Sequence, residues 1–462
     1  MNAAIILLVA AVVLPWWAAR PIRGVYLLFG AALLLEIFPL QFPDSLTDNS
    51  AFFLNLNNSA TSAGLDGLPI TPAEIVMVLA LIIWIVAARK SGELERPRPL
   101  MLAAYIAFMV VVLAAEMRGL LSGGNFNITL WEMRPQVYGF ILFLLAGSLV
   151  RERKQLLTLG AMFFIAVAFK AALGDYRFFV TLGGSLGDRE SILSHEESYF
   201  FALFVVGALA ALIWYPRWRV VLPVLLFTPL VAIALLENHR RVGMLALWAG
   251  LAIVLTLAIR FEASMRKVLV PLTVVAVAVI SVFMATYWDH TYGTVGQIVR
   301  PVHSLFEPDQ RDAQSNAYRD AENANILISY QSSPVIGMGF GRPMIYVYPM
   351  ADISQVYSLW NIIPHNTLLW IGMRMGTIGY IALFALLGTA MLEAMGQLRT
   401  RSDPLLRGVA AFGIVAIVAQ LVIGWGDLGL ENYRSMIILG TILGIISALP
   451  RIPDAAPRPA DA

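Results

Sequence analysis

The sequence contains no cysteine and little charge. Of its 462 residues, 13% are Asp, Glu, Lys or Arg and 59% are hydrophobic, whereas a soluble domain carries roughly a quarter charged residues. The absence of cysteine excludes a disulfide framework, a thiol nucleophile and a cysteine-ligated metal site. The scarcity of charge, with a mean hydropathy of +0.75, excludes an ordinary soluble enzyme and indicates an integral membrane protein.

The sequence also lacks a metal-binding motif and a cleavable leader pattern. Its acidic residues form no EF-hand loop and no spaced histidine–carboxylate motif, so we predict no metal ion and no cofactor. The first apolar run, Ala3–Ala19, has neither a basic region before it nor a small-residue cleavage site. We interpret that run as a retained helix rather than a signal peptide.

Apolar runs of about 17–25 residues recur along the chain, each long enough to cross a bilayer. We predict an all-α membrane fold with about 12–13 transmembrane helices in a single domain, residues 1–449. The proline- and alanine-rich composition of residues 450–462 predicts a disordered cytoplasmic tail. The predicted helices begin near residues 3, 24, 72, 100, 136, 155, 197, 220, 242, 268, 364, 407 and 433.

The basic residues divide the connecting segments into two alternating groups. One group of short segments holds 19 of the 32 basic residues, and the positive-inside rule makes that side cytoplasmic and puts the amino terminus outside. The opposite side has longer segments, above all 287–363, and all five histidines lie on or next to it. Twelve of its 13 basic residues are arginine, the side chain suited to phosphate. These arginines either bind an anionic ligand or pair with loop carboxylates.

A histidine opens one predicted membrane helix, in the stretch PHNTLLWIGMRMGTIGYIAL at residues 364–383. At about 100° per residue, His365 shares one narrow helix face with three glycines. These glycines are Gly372, Gly376 and Gly379. We predict that they let another helix pack closely and so fix the histidine, whose imidazole can act as a base near neutral pH. The alternative is a helix-start histidine solvated by water. Arg374 points the opposite way and is expected to face protein or a polar cavity.

A second polar stretch, ENHRRVGMLALW at residues 237–248, joins two consecutive predicted helices on the external side. Its His239, Arg240 and Arg241 lie where a lipid-linked anionic group would be held, although a solvated turn is also compatible. Two adjacent arginines on a regular helix cannot both face one ligand. We therefore favour Arg241, which leads directly into the next span.

The third stretch is SNAYRDAENANILISYQSSPVIGMGFGRP, residues 315–343, in the long external segment. Helical propensity predicts a helix over Tyr318–Tyr330, with Arg319 projecting over the membrane. Pro334 and the glycines after it predict a turn-rich return. The GMGFG run superficially resembles a phosphate-binding loop, but it neither follows a strand nor opens a helix, so we interpret it as a turn.

Together these stretches resemble the O-antigen ligase/polymerase superfamily of bacterial inner membranes. HNTLLWIGMRMGTIG is similar to the family's His-Asn-x9-Gly-x-x-Gly signature. Tyr318-Arg319 followed by SSPVIGMGFG resembles the family's arginine before an amphipathic helix and its Pro-x-x-Gly-x-Gly turn. RRVGMLAL resembles the Ser-Arg-Gly-Gly-Leu-Leu-Ala-Leu helix start, with Arg240 in place of the usual small polar residue. The resemblance covers about residues 195–395.

The resemblance implies a metal-independent, inverting glycosyltransferase on the periplasmic side of the bacterial inner membrane. It would transfer a glycan from undecaprenyl pyrophosphate to an acceptor hydroxyl, on an architecture similar to multi-spanning enzymes that use lipid-linked donors. His365 would orient or deprotonate the hydroxyl, while Arg241 and Arg319 would stabilise the leaving pyrophosphate. The expected substrate-binding residues are Arg240, Asn366, His239 and Tyr318. Membrane lipid is an expected partner, whereas nucleotide sugars and nucleic acid are not.

The acceptor decides the activity within this family. A second lipid-linked repeat makes a polymerase, the lipid A core makes an O-antigen ligase, and a protein serine or threonine makes a protein glycosyltransferase. We favour the polymerase because a bacterium uses several polymerases but usually one ligase. A transporter or flippase of lipid-linked glycan is the alternative from another class, although the sequence shows no internal repeat. Glu196 and Asp320 are the reserve candidates for the base.

Overall fold

A computed structural model describes residues 14–455, apart from 38–41, 45, 49, 57–68, 93–94, 188, 190, 292 and 355–358. These residues form an all-α fold without strands. The helices are α1 (Ile22–Leu34), α2 (Pro72–Ser91), α3 (Pro99–Leu121), α4 (Phe126–Leu149), α5 (Arg153–Tyr176), α6 (His195–Trp214), α7 (Trp218–Glu237), α8 (Arg241–Phe261), α9 (Ala263–Tyr287), α10 (Gly293–Phe306), α11 (Gln310–Ser332), α12 (Thr367–Thr400), α13 (Pro404–Gly426) and α14 (Tyr433–Ala448).

The prediction of a multi-spanning helical membrane protein is confirmed. Within the described residues, ten helices are long and apolar enough to cross a membrane. Of the remaining three predicted spans, one corresponds to α1, which has 13 residues, and one to α4, which carries Glu132 and Arg134. The predicted run Ala3–Ala19 falls largely outside the described residues. Helices α10 and α11 lie in the long segment 287–363, so that segment is partly helical, as predicted.

Helix α14 lies at the centre of the bundle and packs most extensively against α4. Gly440 of α14 meets the backbone of Gly139 in α4 so closely that a Cβ atom on Gly440 would lie 2.1 Å from the Gly139 carbonyl oxygen. In a membrane, where lipid tails are as apolar as the helix surfaces, such close backbone contact supplies the packing attraction. Helix α9, by contrast, exposes nearly all of its side chains and forms an outer wall.

Ion pairs fix the helix ends on the side where the basic segments gather. Arg407 at the start of α13 binds Glu262 at 2.7 Å, and Arg98 before α3 binds Glu393 at 3.3 Å. Part of the predicted tail takes part in this layer, since Asp454 accepts a hydrogen bond from Arg401 at 2.7 Å and Ile452 is buried. Residues 456–462 lie outside the described residues.

Helix α12 is broken at Gly376, whose φ of 65° and ψ of −164° are not helical. Such a backbone conformation is essentially restricted to glycine. The segment after Pro334 inserts into the break and takes over its hydrogen bonds. The N–H groups of Thr377 and Ile378 donate to the carbonyls of Pro334 and Val335, at 2.8 and 3.2 Å.

The inserted segment returns two hydrogen bonds to the other side of the break. Met338 and Gly339 donate their N–H groups to the carbonyls of Met373 and Arg374, at 2.7 and 3.0 Å. The turn formed by residues 337–341 confirms the interpretation of GMGFG as a turn, because Gly337, Gly339 and Gly341 all have positive φ. These four hydrogen bonds therefore replace bonding that the helix loses at the break.

The predicted glycine face of this helix contacts a loop and its own helix instead of another helix. A Cβ atom on Gly376 would lie 2.4 Å from the backbone of Val335 in the inserted segment. Gly372 packs against Tyr380, and Gly379 packs against Met375, all within α12. The projection at 100° per residue assumed a regular helix and does not continue across the break.

Arg374, which the sequence left unassigned, lies in the buried part of the same junction. Its Nε donates to Glu132 of α4 at 2.6 Å, and neither side chain is exposed. The other guanidinium nitrogens donate to the carbonyls of Gly339, Arg342 and Ile362, at 3.2, 2.7 and 2.7 Å. A buried charge is tolerated when it is paired and its remaining donors are satisfied. Arg374 thus joins α4, α12 and the inserted segment.

Replacement of Gly376 by alanine is expected to destabilise the protein. The backbone conformation alone costs on the order of 1–3 kcal/mol for a residue with a side chain, and the new Cβ atom collides with the carbonyl of Val335. Thermal unfolding in detergent measures the effect. Gly388→Ala is the matched control because this glycine of α12 has open space around its Cβ position. Equal melting temperatures for both variants would contradict the role of the break.

The Arg374–Glu132 pair is expected to behave as a unit. Arg374→Met leaves the carboxylate of Glu132 buried without its cation, which costs about 3–5 kcal/mol. The double variant Arg374→Met with Glu132→Leu should melt at a higher temperature than Arg374→Met alone, because no unpaired charge remains. Arg399→Ala, at an exposed position of α12, is the control. A double variant less stable than both single variants would refute this account.

Candidate active site

The three predicted catalytic residues meet at helix α11. Arg319 lies on α11 and donates from Nη1 to the carbonyl of Gly426, at the end of α13, at 2.8 Å. Arg241, the first residue of α8, donates to the side-chain oxygen of Asn316 on α11 at 2.9 Å. His365 contacts α11 as well, through a carboxylate described below. The long external segment thus gathers residues from three helix ends.

His365 is held by Glu322, a residue that the sequence analysis missed. Its Nδ1 lies 3.1 Å from Oε1 of Glu322, and its backbone N–H donates to Oε2 at 3.1 Å. The Glu322 side chain is 1% exposed and that of His365 is 21% exposed. A signal was present in the sequence, because residues three and four apart share a helix face and Glu322 follows Arg319 and Tyr318 by those intervals. Asp320, a reserve candidate for the base, is exposed.

Tyr318 packs edge-on against the imidazole of His365, with ring centroids 6.0 Å apart. Its hydroxyl is buried and has no hydrogen-bond partner in the described part of the chain. Burial, followed by the charge of Glu322, raises the pKa of Tyr318 above its ordinary value. The hydroxyl therefore stays protonated and keeps a donor for a ligand beside His365.

Arg240 and Arg241 contact different parts of the protein, in agreement with the argument that adjacent arginines cannot face one ligand. Arg241 turns toward α11, with Asp312 at 4.0 Å. Arg240, just before α8, donates to Ser191 Oγ at 3.4 Å. Its role in substrate binding stays a prediction.

His239 has a left-handed backbone, with φ of 53°. Burial, followed by the nearby charges of Arg300, Arg311 and Arg240, lowers the pKa of His239 to about 4. The imidazole is therefore neutral at physiological pH. It offers hydrogen bonds but no positive charge to a bound anion.

Asn366 caps the start of α12. Its side-chain oxygen accepts a hydrogen bond from the backbone N–H of Leu369 at 3.1 Å, and the residue is 6% exposed. Asparagine is favoured at this position because it satisfies one of the unpaired N–H groups of the first turn. This capping contact uses the oxygen that the sequence analysis assigned to substrate binding.

A second imidazole–carboxylate pair lies beside Arg319. Nδ1 of His195, the first residue of α6, lies 2.9 Å from Oδ2 of Asp427. Burial raises the pKa of Asp427, but the charges of His195, Arg240 and Arg319 outweigh it and hold the pKa below its ordinary value. The two partners are 232 residues apart in the chain, so no spacing rule could have predicted the pair.

Several other external arginines are occupied by protein groups. Arg434 binds Glu196 and Glu197 at 3.0 and 2.5 Å, deep in the bundle. Glu196, the other reserve base, is thus engaged in a buried ion pair. The remaining arginines of this kind are Arg134 with Glu74, Arg118 with Ser333, and Arg177 with Asp44. The arginines on the external side therefore include residues that pair within the protein as well as residues of the candidate site.

Residues 228–384 match the family model described as O-antigen ligase. In this segment the chain is similar to the O-antigen ligase/polymerase superfamily. The matched segment contains Arg241, Arg319 and His365. The chain also aligns, at 16% identity and a TM-score of 0.39, with a chain from the solved structure reported as "Structural coordination of polymerization and crosslinking by a peptidoglycan synthase complex"; the alignment covers 74% of this chain and 96% of that one. No curated protein matches the chain.

This similarity supports a role in glycan transfer for surface polysaccharide, by a glycosyltransferase-like enzyme of the membrane. Within the described ranges, no group of three or more His, Asp or Glu side chains is placed to hold a metal ion. The expectation that the protein needs no metal stays a prediction.

Glu322→Gln is expected to reduce glycan transfer without abolishing it. Glutamine can still accept a hydrogen bond from His365 but removes the negative charge that stabilises a protonated imidazole. The loss in kcat should be smaller than the roughly 10²–10⁴-fold contributed by a general base. Asp320→Asn, two residues away and exposed, is the matched control in the same transfer assay. Equal effects of the two substitutions would argue against the Glu322–His365 pair.

Proposed function

We propose that the protein transfers a glycan from an undecaprenyl-pyrophosphate-linked donor to an acceptor hydroxyl at the periplasmic face of the bacterial inner membrane. The observation that carries this proposal is the convergence on α11 of the His365–Glu322 pair and of Arg319 and Arg241. These residues lie in the family-matched segment, on the side opposite the basic loops.

In the proposed reaction, His365 removes the proton of the acceptor hydroxyl. An ionised carboxylate only accepts hydrogen bonds, so Glu322 fixes the tautomer with hydrogen on Nδ1 and the lone pair on Nε2. The acceptor oxygen then attacks the anomeric carbon as its proton passes to Nε2. The bond from that carbon to the pyrophosphate oxygen breaks, and its electron pair stays on the oxygen. Direct displacement of this kind inverts the anomeric centre.

Arg319 and Arg241 stabilise the negative charge that develops on the pyrophosphate. A guanidinium has five N–H donors in a planar fork, and the contacts of Arg319 with Gly426 and of Arg241 with Asn316 each engage one nitrogen. Donors fixed in advance where charge develops lower the barrier without reorganisation during the reaction. Neither arginine is buried in a tight ion pair, which distinguishes them from Arg374 and Arg434.

The favoured acceptor is the end of a second lipid-linked repeat, which makes the protein a polymerase. An O-antigen ligase that uses the lipid A core is the alternative, since the matched family carries that description. Incubation of the purified protein with the lipid-linked repeat alone separates them. Longer lipid-linked chains indicate a polymerase, whereas a donor consumed only when lipid A core is added indicates a ligase.

His365→Ala is expected to lower transfer by roughly 10²–10⁴-fold, the range for loss of a general base. The measurement is the rate of product formation by purified protein, with thermal unfolding as a check on folding. His290→Ala, at an exposed position of the long segment, should leave the rate unchanged. A well-folded His365→Ala variant with the activity of the parent would remove the catalytic assignment.

A further inference from the structure

The His195–Asp427 pair lies close to Arg319 but takes no part in the reaction described above. Both carboxylate oxygens approach Nδ1 of His195, at 3.2 and 2.9 Å. The side chain of Asp427 is 10% exposed, whereas that of His195 is 38% exposed. The carboxylate therefore binds Nδ1 from the buried side, while more than a third of the His195 side chain stays exposed.

The pair is linked directly to Arg319. The carbonyl of Gly426, the residue before Asp427, accepts the hydrogen bond from Arg319 at 2.8 Å. Residues 426 and 427 therefore connect a histidine at the start of α6 to the arginine of α11. Arg319 is also close enough to Asp427 for its charge to lower the pKa of that carboxyl.

Arg240 approaches the pair from the other side. It donates to Ser191 in the segment that leads into α6. Asn238 strengthens this link, since its amide nitrogen donates to Ser198 Oγ at 2.8 Å and its oxygen accepts from the N–H of Leu193 at 3.0 Å. The start of α6 and the turn before α8 are thus fixed to each other. His195 and Arg240 are held on neighbouring segments.

The contact between His195 and Asp427 is not needed to anchor α6. Arg434 already binds the next two residues, Glu196 and Glu197, at 3.0 and 2.5 Å in the buried interior. The end of α13 is likewise secured, because Thr367 donates to the carbonyl of Gly424 at 2.9 Å. A half-exposed imidazole with one nitrogen fixed by a carboxylate is the arrangement that orients a histidine toward a ligand.

We propose that His195, oriented by Asp427, is a further catalytic residue that donates a hydrogen bond from Nε2 to the leaving diphosphate, beside Arg319. This inference rests on the proposed function. In the step, the glycosidic carbon–oxygen bond breaks and its electron pair remains on the diphosphate oxygen, where the Nε2–H group stabilises it without a net proton transfer. A hydrogen on each ring nitrogen, as in the imidazolium form, lets Nδ1–H donate to Asp427 while Nε2–H donates to the diphosphate.

The two imidazoles then have different roles in the proposed reaction. His365 with Glu322 acts on the acceptor hydroxyl, and His195 with Asp427 acts on the leaving group. Only the first pair lies within the family-matched residues 228–384.

Lipid binding tests the inference separately from transfer. The probes are undecaprenyl diphosphate and undecaprenyl monophosphate, added to the full-length protein in detergent. A hydrogen bond to a charged group corresponds to about a tenfold change in affinity or more. His195→Ala should therefore lower the preference for the diphosphate over the monophosphate about tenfold, and His195→Gln, which keeps an N–H donor, should lower it less. His290→Ala should keep the preference of the parent protein.

Transfer kinetics provide the second measurement. His195→Ala should lower kcat roughly 10²-fold, the effect of removing one donor to developing charge, with the acceptor KM unchanged. An undiminished preference for the diphosphate in His195→Ala, or a similar loss in a folded His195→Gln variant, would overturn the inference. If His195→Ala does not fold, the preference of His195→Gln for the diphosphate over the monophosphate provides the test. A parent protein that binds undecaprenyl diphosphate but transfers no glycan would refute the proposed function and leave the binding role of His195 standing.

Discussion

The end of the bundle that carries the candidate active site depends on the backbone hydrogen bonds that α12 and the inserted segment exchange at Gly376. A broken helix in a membrane exposes N–H and carbonyl groups that lipid cannot satisfy. Here the segment after Pro334 supplies four complementary groups, and it is the direct continuation of α11. The helix that starts just after His365 and the helix that carries Arg319 and Glu322 are therefore locked together by peptide groups. The buried Arg374–Glu132 pair then ties this junction to α4.

The membrane helices could be predicted from local patterns, and the residues of the candidate site were proposed on the same basis. Apolar runs locate the spans, and the stretch around His365 carries its family resemblance in contiguous residues. The interaction partner of each charged side chain could not be predicted in this way. Arg374 and Arg319 are both external-side arginines in sequence, yet one pairs with a carboxylate 242 residues away in the chain and the other contacts a helix end. Such pairings arise only when the helices pack.

The glycine face shows a different limit of sequence reasoning. A projection at 100° per residue is valid only while the helix is regular, and Gly376 ends that regularity. The same glycine that suggested close helix packing instead admits a loop.

The charged side chains differ in solvent exposure according to the role that we assign to them. Arg374 and Arg434 are fully buried and satisfied, whereas Arg241 and His195 keep 20% and 38% of their side chains exposed.

The break also divides α12 into two parts that differ in their contacts with the rest of the protein. The part from Thr367 to the break is held by Arg374 and the inserted segment, while the longer part after it is a plain apolar span of 24 residues, 377–400. Apolar spans adjust to bilayer thickness by tilting, which costs only fractions of a kcal/mol per Å. Because the hydrogen bonds at the break are made by the loop, tilt of the longer part pivots at Gly376. We therefore expect the spacing between His365 and the arginines to change little when the longer part tilts.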